Sequence, residues 1–130
     1  MQEKDIAADR EGVITYWNAG AERIFGHPAA EALGRSLDLI IPERLRERHW
    51  RGWDDVIETG RSRYGDDDLL SVPGQRRDGS ALSVEFSIHP VHGTDGILTG
   101  FAATMRDVTA RWEQLRELRR KLADRAAPAE

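Results

Sequence analysis

The stretch Asp9-Arg10-Glu11-Gly12-Val13-Ile14-Thr15-Tyr16-Trp17-Asn18 decides how this 130-residue chain is read. From Gly12 to Trp17 the side chains alternate, with Val13, Thr15 and Trp17 to one side and Ile14 and Tyr16 to the other, which predicts a strand. Asp9 to Gly12 carries turn chemistry, including a glycine able to take a positive φ, and Ile6 to Ala8 supplies a short antiparallel partner. An opening hairpin is expected. Asn18 then caps a helix through its side-chain oxygen, Ala19 to Phe25 extend it, and Gly26 stops it.

Beyond this segment a second short helix is predicted from Pro28 to Leu33, ended by Gly34, and Ser36 to Ile41 reads as a connector or single turn. Pro42 to Thr59 is a longer amphipathic helix, with proline in its first turn and Gly60 placed to end it. At about 100° per residue, Pro42, Leu45, His49, Gly52, Trp53 and Val56 share one face, with Ile57 at its edge. His49 lies at the centre of that face. The remainder alternates at period two: Arg61 to Val72, Ala81 to Val91 with Leu82, Val84, Phe86 and Ile88 on one side, and Ile97 to Arg106. Pro73-Gly74 and Asp78-Gly79 break the first pair and Gly93-Thr94-Asp95-Gly96 the second, so an antiparallel meander is expected. Val108 to Arg125 is helical, with Val108, Trp112, Leu115 and Leu122 at heptad-like spacing, Arg119 where an apolar residue would continue it, and Leu118 alongside. Glu117 and Lys121 form a favourable i,i+4 pair, and a frayed tail follows Arg125. The fold class is α+β.

At 130 residues the chain has room for one core, burying roughly two-thirds of its unfolded surface. Apolar residues make up 39% and charged residues 32%, and no apolar run approaches the ~20 residues of a membrane span, so a soluble protein with no membrane partner is expected. A net charge of −4 is the wrong sign for binding nucleic acid through phosphate neutralisation. The absence of cysteine excludes disulfides, thiolate metal sites and a cysteine nucleophile. Met1-Gln-Glu-Lys-Asp has no signal-peptide character, and the cytoplasm is the expected location.

The order of elements, together with Asp9–Asn18, Ala21-Glu22-Arg23-Ile24-Phe25-Gly26, Arg76-Arg77-Asp78-Gly79 and Met105-Arg106-Asp107-Val108-Thr109, resembles the PAS domains. The matches span Ile6 to Arg111. The resemblance implies a curved five-stranded antiparallel sheet with helices over one face, a small cavity between them, and a C-terminal signalling helix. It divides the chain into a PAS domain at 1–107 and an amphipathic coiled-coil helix with its tail at 108–130. It implies a non-enzymatic sensor upstream of an effector such as a histidine kinase or a cyclic-dinucleotide enzyme, pairing as a homodimer through the last helix.

The candidate chemistry centres on His49. His49, between Leu45 and Trp53, requires a hydrogen-bond partner, a ligand or a metal; Gly52 is expected to leave room beside its ring. Pro42-Glu43-Arg44-Leu45-Arg46-Glu47-Arg48-His49 also resembles the helix bearing the axial histidine of haem-binding PAS oxygen sensors, which makes His49 the candidate haem ligand, and the only route to a metal. The chain departs from that branch: Leu69 or Leu70 stands where those sensors place an arginine, and Gly52 and Asp55 replace a tyrosine and a basic residue. The alternative is a hydrogen-bonded core histidine. From the face patterns the pocket comprises His49, Trp53, Val56, Leu70, Val84, Phe86, Ile88 and Ala103, and Trp50 and Trp53 are placed to wall a flat cofactor. Flavin is a second cargo, but without cysteine it cannot form a sulfur adduct. His27, His89 and His92 read as solvated, Asp66-Asp67-Asp68 as a solvated loop, and Ser62, Ser71 and Ser80 lack the context of a nucleophile. Trp17 and Trp112 read as packing residues within the protomer or against a second one. Two functions remain open: a sensor with haem or another small ligand between helix and sheet, and a ligand-free dimerisation module.

Overall fold

The computed structural model describes residues 5–59 and 69–126. Its strands are β1 (Ile6–Asp9), β2 (Ile14–Trp17), β3 (Leu70–Gln75), β4 (Ala81–His92) and β5 (Leu98–Asp107). Its helices are α1 (Ala19–Phe25), α2 (Ala29–Ala32), a 3₁₀ turn (Leu37–Ile40), α3 (Glu43–Thr59) and α4 (Thr109–Ala126). The strands form one antiparallel sheet in the order β2-β1-β5-β4-β3, so the opening hairpin joins the meander along β5. The expectations for Gly60, Ser62, the strand start at Arg61, the acidic run 66–68, residues 1–4 and the tail after 126 lie outside the described residues.

The hairpin turn is held by its own aspartate: Asp9 Oδ1 accepts from the amides of Glu11 and Val13, each at 3.0 Å. Strict alternation fails in β2. Ala7 pairs with Tyr16 and Ala8 with Ile14, leaving Thr15 as an extra residue. That bulge turns both Ile14 and Trp17 into the core instead of onto opposite sides. Asn18 caps α1 by accepting from the Ala21 amide at 3.0 Å, and Gly26 ends it at φ 82°.

Trp17 is buried within the protomer, its indole N–H donating to the His27 carbonyl at 2.9 Å, which settles its packing in favour of the chain's own core. Contrary to the sequence expectation of a solvated side chain, His27 is buried, at 5% exposed. Its position beside Pro28 looked superficial; the turn between α1 and α2 instead folds the ring under Trp17, with ring centroids 6.3 Å apart. His89 is half-buried, with Nε2 3.4 Å from Ser87 Oγ, and His92 is exposed.

Pro73-Gly74 does not break a strand. Both residues lie inside β3, paired with Ser83 and Leu82. An edge strand has one unpaired side, so the missing proline N–H costs no ladder bond. Gly74 fits because Leu82 and Val84 crowd it: a Cβ there would lie 3.1 and 3.2 Å from their methyl carbons. At the other end of the sheet's meander, Val108 is buried where β5 passes into α4, whereas Trp112, Leu115, Leu118 and Leu122 are exposed along the helix. Glu117 pairs with Arg120 at 2.7 Å.

Candidate functional site

α3 contributes no fully buried residue, yet His49 and Trp53, one turn apart, both project over the sheet. Their surroundings come from distant parts of the chain. Together with Phe25, Leu37, Ile40 and Ile41 from the helical layer and Val72, Pro73, Gly74, Val84, Phe86, Ile88 and Met105 from the sheet, they line a cavity of about 170 Å³. Ile6, Ala7, Ala8, Phe101, Ala102 and Ala103 complete the wall. Among the described residues His49 is the only titratable side chain on it.

Two indoles fix the helix above this space. Trp53 Nε1 donates to the Arg10 carbonyl at 2.7 Å, and its ring meets Phe101 edge-on with centroids 4.9 Å apart. Trp50 Nε1 donates to Asp38 Oδ1 at 2.6 Å. Its ring lies over Gly12, whose φ is +80° and whose position leaves no room for a Cβ beneath the indole. Trp50 therefore clamps the helix to the hairpin turn and is absent from the cavity wall. Gly52 is exposed, with nothing within 4 Å of a Cβ placed on it. It does not make room for the histidine, because the helix turns it to solvent.

The His49 ring lies 4.6 Å from Trp50 and 5.9 Å from Trp53 between centroids. Its Nδ1 is buried and has no hydrogen-bond partner. Burial holds its pKa below the ordinary 6.5, with the charge of Asp38 acting weakly the other way. The result is a neutral imidazole beside an apolar void, with one polar atom unsatisfied.

Of the residues assigned to the pocket from sequence, His49, Trp53, Val84, Phe86, Ile88 and Ala103 line the cavity; Val56 and Leu70 do not. Leu70 opens β3 opposite Phe86, and Val56 lies about a turn beyond Trp53. Sequence reading missed Phe25, Leu37 and Ile40, which come from segments too short to show a periodic face. A haem does not fit this space. The volume is about that of a cavity that takes benzene, and well under the ~300–1,000 Å³ that drug-sized ligands occupy. The acceptor that would orient an axial histidine through its second nitrogen is also missing at Nδ1.

The sheet side of the cavity leads directly to α4. Asp107 Oδ1 accepts from Thr109 N at 2.9 Å and Thr109 Oγ1 at 2.6 Å, and that hydroxyl accepts from Ser83 N at 2.9 Å. Val108 N donates to the Ser83 carbonyl at 2.9 Å. Arg76 reaches Asp107 at 3.4 Å, and Arg111 reaches the buried carboxylate of Glu85 at 2.6 Å. Both Ser83 and Glu85 belong to β4, whose intervening Val84 lines the cavity.

A sequence profile described as the PAS fold matches residues 6–113. The chain is 30% identical over 122 residues to the sensor protein FixL of Bradyrhizobium diazoefficiens, covering 90% of this chain and 23% of FixL. It is 28% identical over 109 residues to the oxygen sensor protein DosP of Escherichia coli, covering 81% of this chain and 13% of DosP. It spans less than a quarter of the length of either. The PAS domain of a Colwellia psychrerythraea protein superposes with a TM-score of 0.68 at 20% identity, over 81% of this chain and 85% of that one. No helix among the described residues is long and apolar enough to cross a membrane.

Proposed function

Because this chain belongs to the PAS family, we propose that it is a non-catalytic sensory domain whose cavity takes a small, mostly apolar ligand against His49. The observation that carries the proposal is the pairing of an apolar void with one buried, unpartnered imidazole nitrogen. Leaving a buried polar atom unsatisfied is costly, and a ligand with one polar group near an apolar body repairs that cost. The two indole anchors make α3 a lid tied to the hairpin turn.

The state of the cavity reaches α4 through β4 and β5. A ligand that favours one position of the sheet edge biases the Asp107–Thr109–Ser83 junction, by no more than its differential affinity for the two arrangements. In this reading residues 1–107 sense and residues 108–130 relay. Trp112, Leu115, Leu118 and Leu122, exposed on α4, pair with a second copy and transmit to an effector such as a histidine kinase or cyclic-dinucleotide enzyme.

The small volume favours a second reading, a ligand-free dimerisation module. Native mass spectrometry and an absorbance scan of freshly purified protein separate the two. The sensor reading predicts a small bound mass, and saturable thermal stabilisation by octanoate or indole that weakens in His49→Leu; at a hundredfold excess over Kd the stabilisation is about 2.7 kcal/mol. A bare, colourless chain unaffected by such probes leaves only the module. Haem reconstitution is expected to give no intense Soret band. A band that appears, and vanishes in His49→Ala, would replace the small ligand with haem held by a displaced α3.

A further inference from the structure

We infer that a second, separate site binds a small polyanion, a metabolite carrying at least two phosphate or carboxylate groups, in the open cleft between α1, the 3₁₀ turn, the start of α3 and the β3–β4 turn. The cleft has a volume of about 980 Å³ and is lined by Arg23, Arg35, Arg46, Arg76 and Arg77. These guanidinium groups come from four separate stretches of sequence, on a chain whose net charge is −4, so their gathering is not a background of basic composition.

Three carboxylates share the wall, and all are already engaged. Glu31 takes Arg77 at 3.2 Å and His27 Nδ1 at 3.4 Å; Asp38 takes the Trp50 indole at 2.6 Å; Asp78 takes Ser80 at 2.6 Å. Arg23 and Arg35 have no ion pair among the described residues, and the planar fork of arginine suits phosphate and carboxylate oxygens. A second observation is independent of charge. The His27 side chain is 6% exposed and lies on the same wall, and its Nε2 is buried without a partner. Ile24, Phe25 and Leu39 supply an apolar floor for the ligand's body.

The location has a consequence for the sensor. Phe25 lines both the cleft and the inner cavity, and Arg76 is the residue that reaches Asp107 at the foot of α4. An anion that draws Arg76 toward itself loosens that contact.

The test is a titration of the full chain with sodium pyrophosphate, and separately with citrate, at constant ionic strength, followed by two-dimensional amide NMR. Saturable shifts centred on Gly26, Arg77 and Gly79 are expected, with affinity weakened at least about tenfold in Arg23→Gln/Arg35→Gln. Both residues are exposed, so the fold is not at risk. Arg116→Gln/Arg119→Gln on α4 should bind as the parent does. A response to pyrophosphate alone marks a phosphate ligand and a response to citrate alone a carboxylate one, and either supports the site. No saturation by ~10 mM of both, equal loss in the α4 variant, or unchanged binding in the cleft variant would overturn it.

Discussion

The corner built from β2 and α1 and the layer built from α3 belong to the same core, yet they are packed to different standards. At the corner Trp17, Ala21 and Phe25 are 5%, 0% and 1% exposed, the two rings lie 5.7 Å apart, and the indole N–H has a carbonyl partner. Of α3's own residues none is fully buried, and about 170 Å³ beneath the helix is unfilled. Low local packing lowers the cost of opening locally. The corner holds the fold, and α3 is the part free to respond.

Breaking the corner should therefore have the largest effect. Trp17→Ala removes a buried ring that borders neither the cavity nor the cleft, together with its hydrogen bond to the His27 carbonyl, and is expected to cost about 3–5 kcal/mol in urea unfolding. A loss comparable to that of an α3 substitution would erase the distinction. Gly12→Ala attacks the clamp instead. It forces an L-residue to a positive φ and pushes a methyl into the Trp50 ring, for roughly 1–3 kcal/mol. Its signature is local: faster amide exchange in α3, with protection in α1 retained.

The same contrast governs what could be read from sequence. Asn18, Gly26 and the alternation of Leu82, Val84, Phe86 and Ile88 are local signals, and they gave the first hairpin, its helix and β4 correctly. His49 and Trp53 were also placed toward the sheet by helical spacing alone. What stayed hidden depends on neighbours distant in sequence. Pro73-Gly74 reads as a break unless β3 is known to be an edge strand; the bulge at Thr15 is visible only against β1; and His27 is buried by a turn whose fold depends on Trp17. Gly52 shares the histidine's helical arc by angle, but the position is exposed, with nothing within 4 Å of a Cβ placed on it.

A filling substitution sharpens the comparison from the opposite direction. Ala103, 9% exposed, lines the cavity and pairs across the sheet with Ile88. Ala103→Val adds two methyl groups to a space that has room for them, and should stabilise by roughly 0.5–2 kcal/mol while reducing octanoate or indole binding. At the corner, a similar enlargement of Ala21, which has no exposed surface, should destabilise through overpacking. If Ala103→Val also destabilises, the void under α3 is not available to added atoms.

The smallest effect is the pH dependence set by His49, and it isolates the unsatisfied nitrogen from the void around it. Burial lowers the folded pKa below 6.5, so the unfolded chain takes up this proton more readily, and stability is lost as pH falls below 6.5 toward the folded value. The depressed carboxylates Glu31, Asp78 and Asp107 act in the same direction, but below their ordinary values of 4.5 and 3.8. A comparison between ~pH 7 and ~pH 5 therefore separates them from the histidine. His49→Leu keeps a similar volume, removes the orphaned nitrogen and has no proton to bind. It should match or exceed the parent in stability at neutral pH, and its advantage should grow as the solution is acidified. An advantage that stays constant across this interval would mean that the imidazole is hydrated when folded, and the wall beneath α3 would then lack the buried polar atom on which ligand recognition was built.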